Sequence, residues 1–534
     1  MLKNKSSFLR NAPILPHQLF FILSIVIGFA YIFITPPFRS HDEYGHYMRV
    51  IGYSKGKIWQ EYEINKSYVD FLIKGSSFRP RIGFNGQYNY DIMKSILDAG
   101  NDDIAKNELV KYQNNLGTVD LYSPVAYIPT IISSYIFQSL HTPPFVLFYL
   151  LRIISLLSST LLIAYAIKKL PYAQWSICAV MLWPMAMCGR SMVSADSLTI
   201  GFILLFVSFL LRTNLSPNNE NKVFSCKYYL ITSSLAIAIA LSKIVYFTSL
   251  TLLFIPNIIR KSSKQVAIII STIFIISFSV GMVWNMEAVK ILQAAIERSN
   301  SLDPQIKEAE QIRLSKYNFI KNDETDQMIH SSPKQQMLLL RTQPMRAAKI
   351  LYNTFTNKSF WADDVFFQAI GGLTESKIPV NKTSSIIAMF VAFLLLFTRT
   401  PIEEDNDKYG LLLLMRIRIL LVCVTIVTFF LTLLALHIQW NPLTNNYING
   451  FQGRYMLPLM PLMLIAFYPP PTQFLIKIHP YFSFLKAFRN HIHLCPSLLL
   501  IITTIISNYY GLSILSKYFF GGFAPFYNEI SKFF

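Results

Sequence analysis

The sequence predicts an all-α membrane protein, a single polytopic domain over residues 1–534, and three observations predict it. Hydrophobic residues make up 53% of the chain and charged ones only 14%, where soluble domains carry about 25% charged residues. Apolar runs of near-spanning length recur along the chain. Lys and Arg, which dominate a formal net charge of +19, gather in short segments between those runs. That distribution points to loops on one side of a bilayer rather than to a nucleic-acid footprint, so no nucleic-acid partner is expected.

Spanning helices need about 20 mainly apolar residues. Such runs lie near 17–35, 122–140, 145–167, 171–189, 195–212, 228–243, 244–259, 265–284, 383–399, 411–437, 453–470 and 496–516. The first follows the basic segment MLKNKSSFLR and resembles a signal peptide. However, it is long and ends in TPPF with no small-residue cleavage site, so it reads as a retained helix. Two polar stretches, 36–121 and 285–382, interrupt the apolar runs.

Basic clusters orient the bundle. Lys3 to Arg10, Lys168 and Lys169, Arg212 to Lys227, Arg260 to Lys264, Arg399 to Arg418 and Lys477 to Arg489 all fit one cytoplasmic side. Both polar stretches then become large extracytoplasmic loops. Parity demands an odd number of crossings between the first loop and Lys168. The weaker run LYSPVAYIPTIISSYIFQSL is therefore expected to be re-entrant or interfacial, leaving about 11 spans; twelve spans with one violated basic loop is the alternative. Two helices share only 228–259, so both must be short, with Lys243 near their outer turn. There it faces a water-filled cavity or snorkels to the interface.

Five cysteines form neither a disulfide framework nor a CxxC motif, which argues against redox chemistry. Chemistry-bearing residues concentrate in three places. The first is HDEYGHYMR, directly after the first helix. If helical, it aligns Asp42, His46 and Arg49 on one face with Glu43 beside them. His41 and His46 are spaced i, i+5, so the zinc-protease pattern HExxH fails; a zinc site on Asp42, Glu43 and His46 is compatible but carries no signature. A carboxylate in such a place suits a general base, and the same residues also suit a solvated surface helix.

The second place is CGRSMVSADS, which presents Arg190 and Asp196 between two apolar runs, where ionisable groups are costly and commonly functional. An ordinary turn with an acidic helix start would look similar. The third is INGFQGRYMLPLMPLML, with Arg454 and Tyr455 at the mouth of an apolar run. An arginine there can grip a phosphate with two donors or snorkel to headgroups.

Taken in order, these stretches resemble a group of uncharacterised bacterial multi-pass membrane proteins. Its pattern appears as Pro36-Pro37 with Asp42-Glu43 and His46, Tyr122-Ser123-Pro124 with Tyr127, Ser194-Ala195-Asp196, and Gln452-Gly453-Arg454-Tyr455 with Pro458. The Lys243 segment ALSKIVYF, Gln335, Gln336 and Pro344 fit it too, and the resemblance runs from about residue 17 to 470. Tyr44 and Gly45 depart from it, standing where the pattern has Pro-Ala.

That group is similar to the GT-C glycosyltransferases. The resemblance implies a GT-C-like bundle using a polyprenyl-phosphate sugar donor, with no nucleotide or other cofactor required and a divalent metal optional. It implies Asp42 as base with Glu43 its rival, Asp196 as second acidic residue, and Arg454 and Lys243 toward the donor phosphate. His46, Arg49, Arg190 and Tyr455 are expected to contact substrate. The implied protein is a bacterial inner-membrane enzyme modifying a cell-envelope glycan such as O-antigen, with its active site facing the periplasm. A flippase for lipid-linked oligosaccharide and an O-antigen polymerase or ligase are the rival readings.

Overall fold

The computed structural model describes residues 14–40, 42–59, 62–77, 86, 88–100, 108–112, 119, 122–215, 225–260, 264–300, 333–373, 381–398, 400, 411–439, 441–469 and 496–532. His41, Cys495, Lys3 to Arg10, Lys222, Lys261, Arg399 and the cluster at 477–489 lie outside them. The fold is mostly helical. Helix α1 (Pro16–Ile34) starts with proline at its first position, where the missing N–H costs nothing. In the first polar stretch follow α2 (Glu43–Ser54), β1 (Tyr62–Asn65), α3 (Lys66–Ser77), α4 (Tyr90–Ala99) and β2 (Leu109–Tyr112). The strands pair antiparallel with Tyr62 opposite Tyr112 and Glu63 opposite Lys111. This small sheet is a departure from the expected all-α fold, built from aromatic and β-branched residues that suit a pleat.

A 3-10 turn over Pro124–Tyr127 leads into α5 (Ile128–Ser139), only 12 residues long. Helix α6 (Pro144–Lys169) begins on a proline and carries Lys168 and Lys169 in its last turn, where cations complement the helix dipole. The 171–189 run is not one helix. Pro184 lacks the N–H that would continue the ladder, so the run splits into α7 (Gln174–Met181) and α8 (Pro184–Arg190). Next come α9 (Asp196–Leu215), α10 (Cys226–Ser242), a 3-10 segment Ile244–Phe254, α11 (Ile255–Arg260) and α12 (Lys264–Asn300). Lys243 sits in extended backbone between α10 and the 3-10 segment, at the break between two short apolar elements.

The second polar stretch contains α13 (Pro333–Thr342), α14 (Pro344–Thr356), a π-helical turn Phe360–Phe367 and α15 (Gln368–Gly371). Helices α16 (Lys382–Leu394), α17 (Leu411–Gln439), α18 (Met460–Ala466), α19 (Pro496–Phe520) and α20 (Phe523–Ser531) complete the chain. Gln336, flagged in the sequence, donates to the Asn441 carbonyl at 3.0 Å.

Six helices among the described residues are long and apolar enough to cross a membrane: α1, α6, α9, α19 and the apolar parts of α12 and α17. The remaining apolar runs form shorter or broken elements. Helix α9 is central, with 72% of its apolar stretch buried, whereas α12 has 22%. The uncovered surface is hydrocarbon. Ile268, Ile275, Ile276 and Val283 on α12 and Met415, Ile419, Ile426 and Phe430 on α17 are exposed. Apolar stripes of that extent are stable against lipid and not against water.

Helix α19 runs back across the bundle. Its Asn508 donates to the Leu182 carbonyl at 2.9 Å, restoring a partner at the Pro184 break, as buried non-helical backbone requires. Below it, Tyr88 N–H donates to the Phe519 carbonyl at 2.8 Å and Gly86 N–H to that of Tyr518 at 3.2 Å. The end of α19 is thus pinned to the first polar stretch.

Candidate functional site

The site begins where α1 stops. Pro36 and Pro37 cannot continue a helix, and Phe38 follows at a φ of 59°, a left-handed conformation unusual for an aromatic residue. Its ring is locked among Tyr47, Phe71 and Phe148, with centroids 5.5, 5.1 and 4.7 Å away. Gly75 leaves that space open, because a Cβ there would meet the Phe38 ring at 2.6 Å. Arg39 donates to the Gly75 and Ser76 carbonyls at 3.1 and 3.0 Å. The chain therefore enters α2 along a fixed path.

Glu43, the first residue of α2, is wholly buried. Arg152, equally buried in the middle of α6, binds it with two hydrogen bonds, Nε to Oε1 at 2.8 Å and Nη2 to Oε2 at 2.6 Å. The other donors of Arg152 reach the carbonyls of Ile32 at 2.9 Å, Thr35 at 2.7 Å and Pro36 at 3.2 Å. All five guanidinium N–H groups are thereby used, and three carbonyls at and just past the end of α1 gain a partner. Val193 N–H donates to Glu43 Oε1 at 3.2 Å, so one carboxylate ties together α1, α6, α2 and the turn preceding Asp196.

That clamp places Asp42 opposite Asp196. Asp42 precedes α2 in left-handed backbone, φ 54°, which Asp tolerates better than most residues. Its side chain is 48% exposed, and its Oδ2 accepts from Arg454 Nη2 at 3.3 Å. Arg454 Nε stands 3.9 Å from Asp196 Oδ2, while Lys243 Nζ lies 2.9 Å from Asp196 Oδ1. Lys243 also sits 4.9 Å from the centre of the Tyr455 ring and 5.5 Å from that of Tyr122. Two carboxylates, two cations and two tyrosine rings thus converge from five distant parts of the chain. Arg454 Nε is buried with no hydrogen-bond partner among the described residues, although it faces Asp196 Oδ2.

His46 lies behind this cluster rather than in it. It is buried, its Nδ1 is 2.6 Å from Tyr127 Oη and its ring stacks on Tyr122. Burial pulls its pKa down to about 4, with the neighbouring Asp42 and Asp196 opposing that shift. The imidazole is therefore neutral at neutral pH.

Two expected substrate contacts are held by partners outside the ion-pair cluster. Asp42 precedes α2, and Arg49 lies one turn beyond His46 on that helix. It turns to the carbonyls of Ile58 at 2.6 Å and Tyr122 at 3.4 Å, and lies over the rings of Tyr53 and Trp59. The left-handed backbone at Asp42 takes that residue off the helical register on which the alignment depended. Arg190 is buried within the bundle, donating to the Met181 carbonyl at 2.7 Å and to Thr160 Oγ1 at 3.1 Å, and it also lines a small cavity shared with Asp196 and Arg454. It closes the end of α7 at the break Pro184 makes.

The second polar stretch supports Arg454 from behind. A Cβ on Gly453 would meet Ala369 N at 2.1 Å, so only glycine lets this turn approach α15. Gly453 N–H donates to Gln368 Oε1 at 3.4 Å, and Gln368 Nε2 to Asp364 Oδ1 at 3.4 Å. Burial, aided by the Asp363 charge, pushes Asp364 up to about 6. Arg152, Gln368 and Asp364 escaped the sequence reading. For Arg152 a signal existed, a lone arginine inside a long apolar run; for the other two the FWADD turn offered no recognisable spacing. No three His, Cys, Asp or Glu side chains among the described residues are grouped so as to hold a metal ion.

A bundle of apolar helices carrying an ion-pair cluster at the ends of several of them defines a polytopic membrane protein with a polar site. The chain belongs to the family described as "predicted membrane protein (DUF2142)", whose model matches residues 25–463. Every member of the cluster lies inside that range, and α19 and α20 lie beyond it. No curated protein and no solved structure matches the chain.

Proposed function

We propose that this protein is a GT-C-type glycosyltransferase of the bacterial cytoplasmic membrane. It would move a sugar from a polyprenyl-phosphate donor to a cell-envelope glycan such as O-antigen. On this reading the polar stretches and the Asp42 cluster face the extracytoplasmic side, and about 11 segments cross the bilayer with α5 at the interface. One observation carries the reading: a half-open carboxylate, Asp42, is held by an arginine that, with a lysine, also flanks a second carboxylate, Asp196. A small cavity of about 30 Å³ beside Asp196 and Arg454 has room for about one water, so the donor sits on the open side of Asp42.

The chemistry then runs as one displacement. The acceptor hydroxyl oxygen attacks the anomeric carbon and Asp42 takes its proton. The bond from that carbon to the phosphate oxygen breaks, and the phosphate leaves with the electron pair. Arg454 and Lys243 receive the charge where it gathers, a preorganised stabilisation worth about 10²–10³ per donor in comparable sites. A single base without a covalent nucleophile inverts the anomeric centre. Asp196 keeps both cations in position. Glu43, whose oxygens are occupied by Arg152 and Val193, is not proposed as the base.

The test is a mass comparison of the envelope glycan from wild-type, deletion and Asp42→Asn strains. A hexose or pentose should be missing from both mutants, with the variant protein as abundant as wild type. An unchanged glycan in the deletion strain sinks the transferase reading, and a glycan lost or shortened as a whole rather than lighter by one sugar overturns it in favour of a flippase, polymerase or ligase. An unchanged glycan in the point variant alone sinks the base assignment.

A further inference from the structure

Away from the Asp42 cluster, at the far end of α2, lies a groove of about 670 Å³ between that helix, β1 and α5. Its volume falls in the ~300–1,000 Å³ range of small-ligand sites. Its walls are polar. Ser54, Lys55, Lys57, Glu63, Tyr135 and Gln138 line it, and among the described residues neither lysine pairs with a carboxylate. One wall is fixed by a hydrogen-bond network, Gln138 Nε2 donating to Ser54 Oγ at 2.7 Å and to Ser134 Oγ at 2.8 Å. Both amide protons are thereby used, and the Gln138 carbonyl oxygen remains to accept from a ligand hydroxyl. Tyr135, 63% exposed, offers a ring face of the kind on which sugars stack.

The groove is also continuous with an apolar surface. Ile128, Ile132, Ile136 and Leu140 are exposed on α5 at helical spacing, and Tyr135 belongs to both the stripe and the groove. A stripe of that kind on a short helix suits an acyl chain or the bilayer interface. Cations and hydroxyl-binding groups beside such a stripe select a ligand with a charged, hydroxyl-rich head and a lipid tail.

We propose that this groove binds the head of an anionic glycolipid, with Lys55 and Lys57 on its anionic group and Tyr135 against its sugar ring. In the glycosyltransferase reading, on which only this last role rests, the glycolipid is the acceptor. Helix α2, 12 residues from Glu43 to Ser54, holds the groove about 18 Å from Asp42. An acceptor anchored by its lipid end would therefore present a sugar several units away, which makes the transferase selective for length.

The test measures lipid binding to the full chain in neutral detergent by native mass spectrometry. Phosphatidylinositol serves as the probe, having an anion, a hydroxyl-rich ring and a tail. It should bind more tightly than phosphatidylglycerol, a neutral galactosyl diacylglycerol or soluble inositol phosphate. The Lys55→Gln/Lys57→Gln double variant should weaken it roughly 10- to 30-fold, at about 1 kcal/mol for each lysine near a charged surface. Gln138→Ala should weaken phosphatidylinositol but not phosphatidylglycerol. Equal binding of the two phospholipids overturns the proposal in favour of a general anionic-lipid contact. Tighter binding of soluble inositol phosphate overturns it in favour of a free phosphorylated sugar. Binding unaffected by the double variant overturns the site itself. Because binding is read without turnover, these outcomes are separate from those of the glycan comparison.

Discussion

Asp42 and Glu43 are neighbours in the chain, yet their carboxylates live in opposite regimes. Glu43 is dry and saturated, facing an arginine that uses every donor it has. Asp42 is half open, facing an arginine whose Nε has no hydrogen-bond partner among the described residues. The first arrangement leaves nothing for a ligand and fixes the chain. The second leaves a half-exposed carboxylate beside a largely buried arginine at the edge of the bundle. An acid beside a cation is thus a clamp or a site according to how many of its hydrogen bonds remain to be made.

The sharpest way to break that contrast is to remove the clamp. Arg152→Ala strands Glu43 as an uncompensated buried charge and should cost about 3–5 kcal/mol, seen as a large fall in melting temperature of the purified protein. Arg152→Met with Glu43→Leu should recover much of that loss, since an apolar pair of similar size replaces a buried ion pair at little cost. Wild-type melting in the single variant would contradict the clamp. The open cluster should respond the other way. Arg454→Lys keeps the charge but loses the planar fork. It should lower glycan transfer about 10²-fold while leaving the melting temperature unchanged.

The smallest effect sharpens the boundary between the two regimes. The buried His46 is held near a pKa of about 4, below the ordinary value of about 6.5 for imidazole. The unfolded chain therefore takes up this proton first. The contribution is present above about pH 6.5 and is lost as the pH falls toward 4, by up to about 3 kcal/mol. His46→Gln should flatten that acid-side decline in a pH series of melting curves. An identical decline in the variant would place the acid lability elsewhere.

Much of the cluster was legible because its members are charged residues at the ends of apolar runs. Asp42, Asp196, Lys243 and Arg454 stand out for that reason alone, and sidedness inferred from basic loops put them on one face. What the sequence could not say was where each side chain turns. Arg49 was placed by helical periodicity, which fails where Asp42 leaves the helical register, and Arg190 by its position between two apolar runs, which does not reveal that Pro184 splits one of them. Arg152 was hidden in plain hydrophobic surroundings, and its role depends on carbonyls left over at the end of α1, a backbone matter that residue types do not reveal. The β1–β2 pair was missed because four-residue strands are too short to show a period.

The ion pair between Asp42 and Arg454 joins residues 412 positions apart. At synthesis rates of roughly 5–20 residues per second, Arg454 emerges some 20–80 s after Asp42. Arg152 follows Glu43 by only 109 positions, about 5–20 s at the same rates. The clamp can thus close around the first segments while most of the bundle is still unmade. The cluster is completed only after nearly every helix has been made, so its ion pairs report the closing of the whole bundle rather than of any one part.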